Sequence, residues 1–306
     1  MMRKSLKLNK KITFIGLGVM GSPISLNLVK KKFNVVGYDI DPHVRKKHCN
    51  LGINCEENLV DAVRDSSVVI TMLPTSDIVK ETYFGEEGGK GSLINHVENN
   101  CLFIDMTTGS VPTLFDIQKQ LLEAGHRFID APIGRSPREA KVGKCLVMAG
   151  GAKEDFNEAK QIFESIADTI FHVGPFGSGL TLKLVNNYLA MINHVATGEA
   201  LAFAKAAGLD LDLAVEVLST TSAGKGQLLT NFPEKVLAGD LTADFSIDMG
   251  VKDLRMSIEL AALSNFRPGF GELAKSSFLA ASKLGMGGQD CTAILNYFTD
   301  KGRVLE

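Results

Sequence analysis

Three polar side chains on one apolar helix carry the chemistry that this sequence offers most plainly. In the stretch 174–196 an entry rich in glycine, with one proline, gives way near Leu180 to a long apolar run broken by Lys183, Asn186 and Asn187. Those positions stand at i, i+3 and i+4, so all three project from one helical face. Leu182, Leu184, Val185, Leu189 and Ile192 surround them and leave few positions on this helix that read as solvated. An ammonium and two amides so placed must find partners, in the protein or on a ligand. A positioned ammonium can donate a proton and stabilise a developing alkoxide. An ordinary lysine pKa of about 10.4 makes a reluctant acid near neutrality, and burial or neighbouring cations lower that value.

Composition bounds the setting in which such chemistry would run. The chain has 306 residues, enough for a sizeable core and two domains. Its 45% hydrophobic and 22% charged residues are ordinary for a soluble globular protein. A net charge of −2 gives no reason to expect a nucleic-acid partner. Residues 1–10 are basic and are expected to form a flexible solvated arm. The apolar run behind them, 12–15, falls short of the roughly 7–15 residues of a signal peptide. No apolar run approaches the roughly 20 residues of a membrane span, so no membrane association is expected. The five cysteines are scattered and never form a CxxC pair, which points to a reducing compartment, the cytoplasm, and away from a disulfide framework or structural zinc. The six histidines show no HxxxH spacing, and no bound metal is expected.

The elements that must position the helix come before it. A short apolar strand, 11–15, runs into Gly16-Leu17-Gly18-Val19-Met20-Gly21, and a helix follows over 22–32. A GxGxxG between strand and helix is the context that gives the motif meaning. The first glycine permits the tight turn, the second lets backbone approach a pyrophosphate, and the third lets helix and strand pack closely. The helix N-terminus then offers free N–H groups to the phosphates, and Ser22 either contacts the pyrophosphate or caps the helix. A second strand, 34–38, ends at Asp39, 18 residues after Gly21, where an acidic residue bonds the adenosine ribose hydroxyls. An aspartate there repels a 2′-phosphate, so the expected cofactor is NAD, with NADH preferred over NADPH. A strand over 68–72 stops at Leu73-Pro74, where ligands gather at the carboxyl ends of a parallel sheet.

Strands at 101–104, 127–129, 144–149 and 169–173, with helices at 111–124 and 153–166, continue the alternation. The expected fold class is α/β: an N-terminal doubly wound, Rossmann-type domain over 11–176, joined by a long helix to an all-α C-terminal domain over 177–306. The long helix is expected over 179–207, closed by Gly208, and at about 1.5 Å per residue is roughly 40 Å long. That is enough to bridge two domains or a dimer, so a homodimer or homotetramer is expected. Further helices fall at 211–218, 248–263, 271–284 and 290–299.

Five separated motifs then coincide: FIGLGVMGSPISLNL, DMTT at 105–108, DAPIGRS at 130–136, GLTLKLVNNYL and FSIDMGVKDL at 245–254. In this order and spacing the chain resembles the β-hydroxyacid dehydrogenases, the family of 3-hydroxyisobutyrate dehydrogenase, over nearly its whole length. The resemblance implies a catalytic lysine at Lys183 paired with Asn187. It implies cofactor contacts at Asp39, Met72, Leu73 and Thr108 besides the glycine turn, and a second lysine at Lys252 near nicotinamide and substrate. One departure bears on the substrate. The family's usual Ser-Gly-Gly after DAP is here Gly134-Arg135-Ser136. With SAGKGQ at 222–227 and GGQD at 287–290, this resembles the branch that reduces a sulfonated aldehyde. Arg135, Ser136, Asn186 and Lys252 would then hold the anionic end of a small aldehyde or hydroxy acid. Two alternatives stand beside it: a carboxylate substrate such as 3-hydroxyisobutyrate, tartronate semialdehyde or succinic semialdehyde, and a non-catalytic dinucleotide-binding protein. Asp248 reads as structural, holding a loop or a cation such as Lys252.

Overall fold

The computed structural model describes residues 10–85 and 92–302. The basic arm expected over 1–10 lies outside them except for Lys10. The first compact unit extends to Tyr188 and the second begins at Leu189.

In the first unit strand and helix alternate as the apolar runs dictate: β1 (Lys11–Ile15), α1 (Gly21–Lys30), β2 (Asn34–Tyr38), α2 (Pro42–Asn50), β3 (Asn54–Cys55), α3 (Leu59–Val63), β4 (Val68–Thr71), α4 (Ser76–Phe84), β5 (Leu102–Asp105), α5 (Val111–Glu123) and β6 (Arg127–Asp130). These six strands pair in parallel in the order β3-β2-β1-β4-β5-β6. The chain steps outward from β1 to β2 and returns to β4. The strand order therefore reverses between β1 and β4, which opens a crevice at their carboxyl ends. Both sheet faces are covered, so β4 and β5 are buried at every position. Successive side chains take opposite faces. Phe14, Ile70, Ile104 and Ile129 join one apolar cluster with Ile24 and Leu28 of α1. Ile15, Val69, Phe103 and Phe128 join the other with Tyr83 of α4 and Leu114 and Ile117 of α5.

The sheet then changes direction. β7 (Ile133–Gly134), α6 (Pro137–Lys141), β8 (Cys145–Gly150), α7 (Lys153–Ile166) and β9 (Ala167–Gly174) follow. β8 runs antiparallel to β6 and β7, and β9 pairs with β8 in parallel. The apolar pattern does not reveal α2, α3, α4, α6, β3 and β7. β3 and β7 have two residues each, and α2 is so rich in cations that it presents no apolar stripe.

Helix α8 (Ser178–Ala206) contains the division between the units. Its end is a glycine stop: Gly208 sits at φ +80, and Gly208 and Leu209 donate to the carbonyls of Lys205 and Ala204. The helix is less enclosed than its composition implies. Leu180 in the first turn joins the sheet core, whereas Leu182, Leu184, Val185, Tyr188 and Leu189 are exposed in the single chain.

The second unit holds α9 (Leu211–Thr220), α10 (Ser222–Lys225), α11 (Asn231–Glu234), α12 (Ile247–Leu263), α13 (Gly269–Ala281) and α14 (Ile294–Gly302). Ile247, Ala281, Ala293 and Tyr297 form its buried centre. The helix expected over 271–284 leaves α geometry at Ala281, because Gly285 turns to φ +88 within a π segment. The one expected over 290–299 begins later, because Asp290 accepts from the N–H and hydroxyl of Thr292 and sets a 3-10 turn before α14. Among the described residues no helix is long and apolar enough to cross a membrane.

Candidate active site

The glycine turn after β1 is built by steric necessity. Gly16 sits at φ +95, and a Cβ on it would lie 2.3 Å from the Met72 carbonyl oxygen. A Cβ on Gly21 would lie 1.8 Å from the Gly16 carbonyl oxygen. Gly18 differs: a Cβ there meets nothing within 4 Å. The protein therefore does not need glycine at 18, but a ligand lying against this backbone would. No side chain caps α1; the Ser22 and Ile24 N–H groups donate to the Gly18 and Met20 carbonyls, and Pro23 has none to offer. Ser22 is engaged elsewhere, by the Nε2 of buried His48 at 2.7 Å.

Asp39 stands at the end of β2. Its Oδ2 accepts the Leu17 N–H at 2.8 Å and its Oδ1 the Asp41 N–H at 3.0 Å, which fixes the carboxylate beside the turn. Arg45 donates to the carbonyls of Asp39 and Ile40 and lies over the Tyr38 ring, 5.6 Å from its centroid. Across the crevice the Leu73 N–H donates to Thr107 Oγ1 at 3.0 Å. Behind these loops is a buried network that the sequence reading misses. Tyr83 bonds Thr71 at 2.7 Å, and Thr71 Oγ1 donates to Asp105 Oδ1 at 2.8 Å, which also accepts the Thr107 N–H. Burial pushes the Asp105 carboxyl up to about 6 against those hydrogen bonds, and pushes the Tyr83 phenol well up. Only position signals it: Thr71, Asp105 and Asp130 are register partners at adjacent strand ends.

The glycine turn, Asp39, Met72, Leu73, Thr108, Arg135 and Lys183 line one cleft of about 950 Å³. Leu17, Ser136, Asn186 and Asn187 are not part of that lining. Lys183 is half-buried and makes no hydrogen bond or ion pair among the described residues; burial lowers its pKa. No neighbouring cation contributes to that shift, which departs from the sequence expectation. Asn186 Nδ2 donates to Asn187 Oδ1 at 3.1 Å, so the two amides satisfy each other in part.

Arg135 is tied down rather than offered free. Its guanidinium donates to Asp168 at 2.5 Å, Thr169 Oγ1 at 2.8 Å and the Lys144 carbonyl at 2.6 Å, because β9 lies beside β8 and brings Asp168 and Thr169 to it. Arg135 in turn holds the Asp168 carboxyl below the usual range. Its backbone is left-handed, φ +72, where a non-glycine residue is strained by roughly 1–2 kcal/mol. Ser136 is the N-cap of α6: its hydroxyl accepts the Arg138 N–H, and its own N–H donates to the Glu139 carboxylate in a capping box. Lys252 lies on α12 of the second unit, exposed and paired with Asp253 at 3.1 Å. Asp248 accepts from the hydroxyl of Ser282, in the π segment that follows α13, at 2.5 Å, and not from Lys252.

Fold and cleft together define a protein that binds a pyridine dinucleotide. A family model described as the NAD binding domain of 6-phosphogluconate dehydrogenase matches residues 11–174. One described as NAD-binding of NADP-dependent 3-hydroxyisobutyrate dehydrogenase matches 177–298. The chain is 33% identical to 3-sulfolactaldehyde reductase of Escherichia coli (strain K12), over 93% of this chain and 94% of that one. It is 30% identical to NAD-dependent L-serine dehydrogenase of Pseudomonas aeruginosa, over 94% and 98%. Among solved structures it resembles Mycobacterium tuberculosis 3-hydroxyisobutyrate dehydrogenase with L-serine, at a TM-score of 0.66, 26% identity and coverage of 95% and 99%. The chain belongs to the 3-hydroxyisobutyrate dehydrogenase-related family of NAD-dependent β-hydroxyacid dehydrogenases.

Proposed function

We propose that this enzyme reduces 3-sulfolactaldehyde to 2,3-dihydroxypropane-1-sulfonate with NADH, in the cytoplasm. On this reading residues 11–176 hold the cofactor and 177–306 serve substrate and oligomerisation. The observation that carries it is Lys183, without a partner among the described residues, half-buried and on the wall of the cleft. NADH supplies the hydride to the aldehyde carbon. Lys183 donates its proton to the carbonyl oxygen, and its positive charge favours the developing alkoxide. Asn187, one turn along and here accepting from Asn186, would hold the ammonium or that oxygen when substrate binds. What supports a bound dinucleotide is the open space over Gly18, an α1 start that no side chain caps, and Asp39 held beside the glycine turn at the end of β2. That aspartate also underlies the preference for NADH, since a 2′-phosphate would meet a like charge.

For the sulfonate the support is the relative of that activity together with Arg135. A left-handed arginine on the cleft wall, at the position of a family glycine, keeps a planar fork at a cost in strain. Asp168, an exposed carboxylate, shares that fork with Thr169 and the Lys144 carbonyl, and a substrate anion would displace it. Ser136, Asn186 and Lys252 would serve the remaining oxygen. A carboxylate substrate is the second reading, favoured by the same contact, since the group that Arg135 holds is a carboxylate.

The test of the acid is Lys183→Ala. We expect NADH affinity nearly unchanged and turnover lower by about 10²–10⁴, the range for losing general acid catalysis. Because burial lowers the Lys183 pKa and reduction needs the protonated form, wild-type turnover should fall as pH rises through a value below 10.5. Wild-type turnover in the variant would make Lys183 structural.

A further inference from the structure

We propose that Asp130 is a positioning residue for the reaction, setting the register of α8 on the sheet and thereby the place of Lys183 in the cleft. Asp130 ends β6 and is buried, 1% exposed. Its two oxygens divide between two backbone donors at the start of α8: Oδ1 accepts the Gly177 N–H at 2.8 Å and Oδ2 the Leu180 N–H at 2.7 Å. A carboxylate so shared fixes the helix both along its axis and about it. The packing leaves no slack. A Cβ on Gly179 would lie 2.3 Å from the Met148 carbonyl oxygen and 2.8 Å from Asp130 Oδ2, and one on Gly150 would lie 2.6 Å from Asp130 Oδ1. Lys183 follows Leu180 by three residues, on the same side of the helix and one turn further. A displacement at the anchor is therefore delivered to the ammonium, and a misplacement of about 1 Å can lower a rate about 100-fold. Asp130 is not part of the lining of the cleft; it acts through the helix.

This inference rests on Lys183 as the proton donor, and its test separates the two. Asp130→Asn keeps the shape but sets an amide N–H against one of the two backbone donors. Gly179→Ala presses on the same contact from the helix side. Both full-length proteins are compared with wild type and Lys183→Ala for NADH affinity, turnover, KM and the pH dependence of turnover. We expect Asp130→Asn to lower turnover about 10- to 100-fold, with NADH affinity and KM within about threefold. We also expect the alkaline limb of the pH profile to move upward, because a displaced Lys183 is better solvated. A loss of folded protein alone would lower the active fraction and leave that limb in place. If Asp130→Asn does not fold, Gly179→Ala decides by the same limb. Lys183→Ala inactive with the limb unmoved in the anchor variants overturns the role of Asp130. Lys183→Ala fully active overturns the reading of Lys183 instead.

Discussion

At the scale of single residues, the site is defined by which charges are already satisfied. Lys183 has no partner among the described residues, whereas Arg135 has three. The sequence showed both types but not this difference, because Asp168 and Thr169 lie over thirty positions from Arg135 and meet it only through the pairing of β8 and β9. Arg135→Ala separates the two readings of that arginine. If it grips the substrate anion, KM for a sulfonated or carboxylated aldehyde should rise by the equivalent of about 2–5 kcal/mol. A neutral aldehyde such as glyceraldehyde should be affected much less. Steady-state kinetics on the charged and neutral pair measures this, and equal losses on both would reduce Arg135 to a support for the loop between β7 and α6.

At the scale of elements, the glycine turn yields a prediction in which stability and binding part company. Gly21→Ala places a Cβ 1.8 Å from a backbone oxygen, so the β1–α1 unit must distort and the protein should lose thermal stability. Gly18→Ala meets no protein atom within 4 Å, so its melting temperature should hold while NADH affinity falls at least about tenfold, by obstruction of a close backbone approach. Calorimetry with fluorescence titration of NADH checks the pair; a Gly18→Ala protein that binds normally would remove the pyrophosphate from that turn. This is also where the sequence was most legible. The bounds of β1, β2 and α7 follow directly from their apolar patterns, and Gly208 marks the end of α8. What stayed hidden was whatever depended on the third dimension. The polar α2 has no stripe to read, and the Tyr83–Thr71–Asp105 network and the Asp130 anchor arise only when β4, β5 and β6 come into register.

At the scale of the whole molecule, the apolar surface is larger than a lone chain needs. Tyr188 is 70% exposed and Val185 57%, on a helix whose composition reads as buried. A homodimer or homotetramer would cover such a face. Sedimentation should give two or four times the mass of the chain, and a strictly monomeric active enzyme would leave that face unexplained. The reaction itself is measured most directly by the rate of NADH oxidation by the purified protein with matched aldehydes that differ only in their anionic group. 3-Sulfolactaldehyde should be reduced with a far higher kcat/KM than succinic or tartronate semialdehyde, and with NADH well above NADPH. No NADH oxidation with any aldehyde of the set would contradict this, and a carboxylate semialdehyde turned over best would overturn the sulfonate assignment.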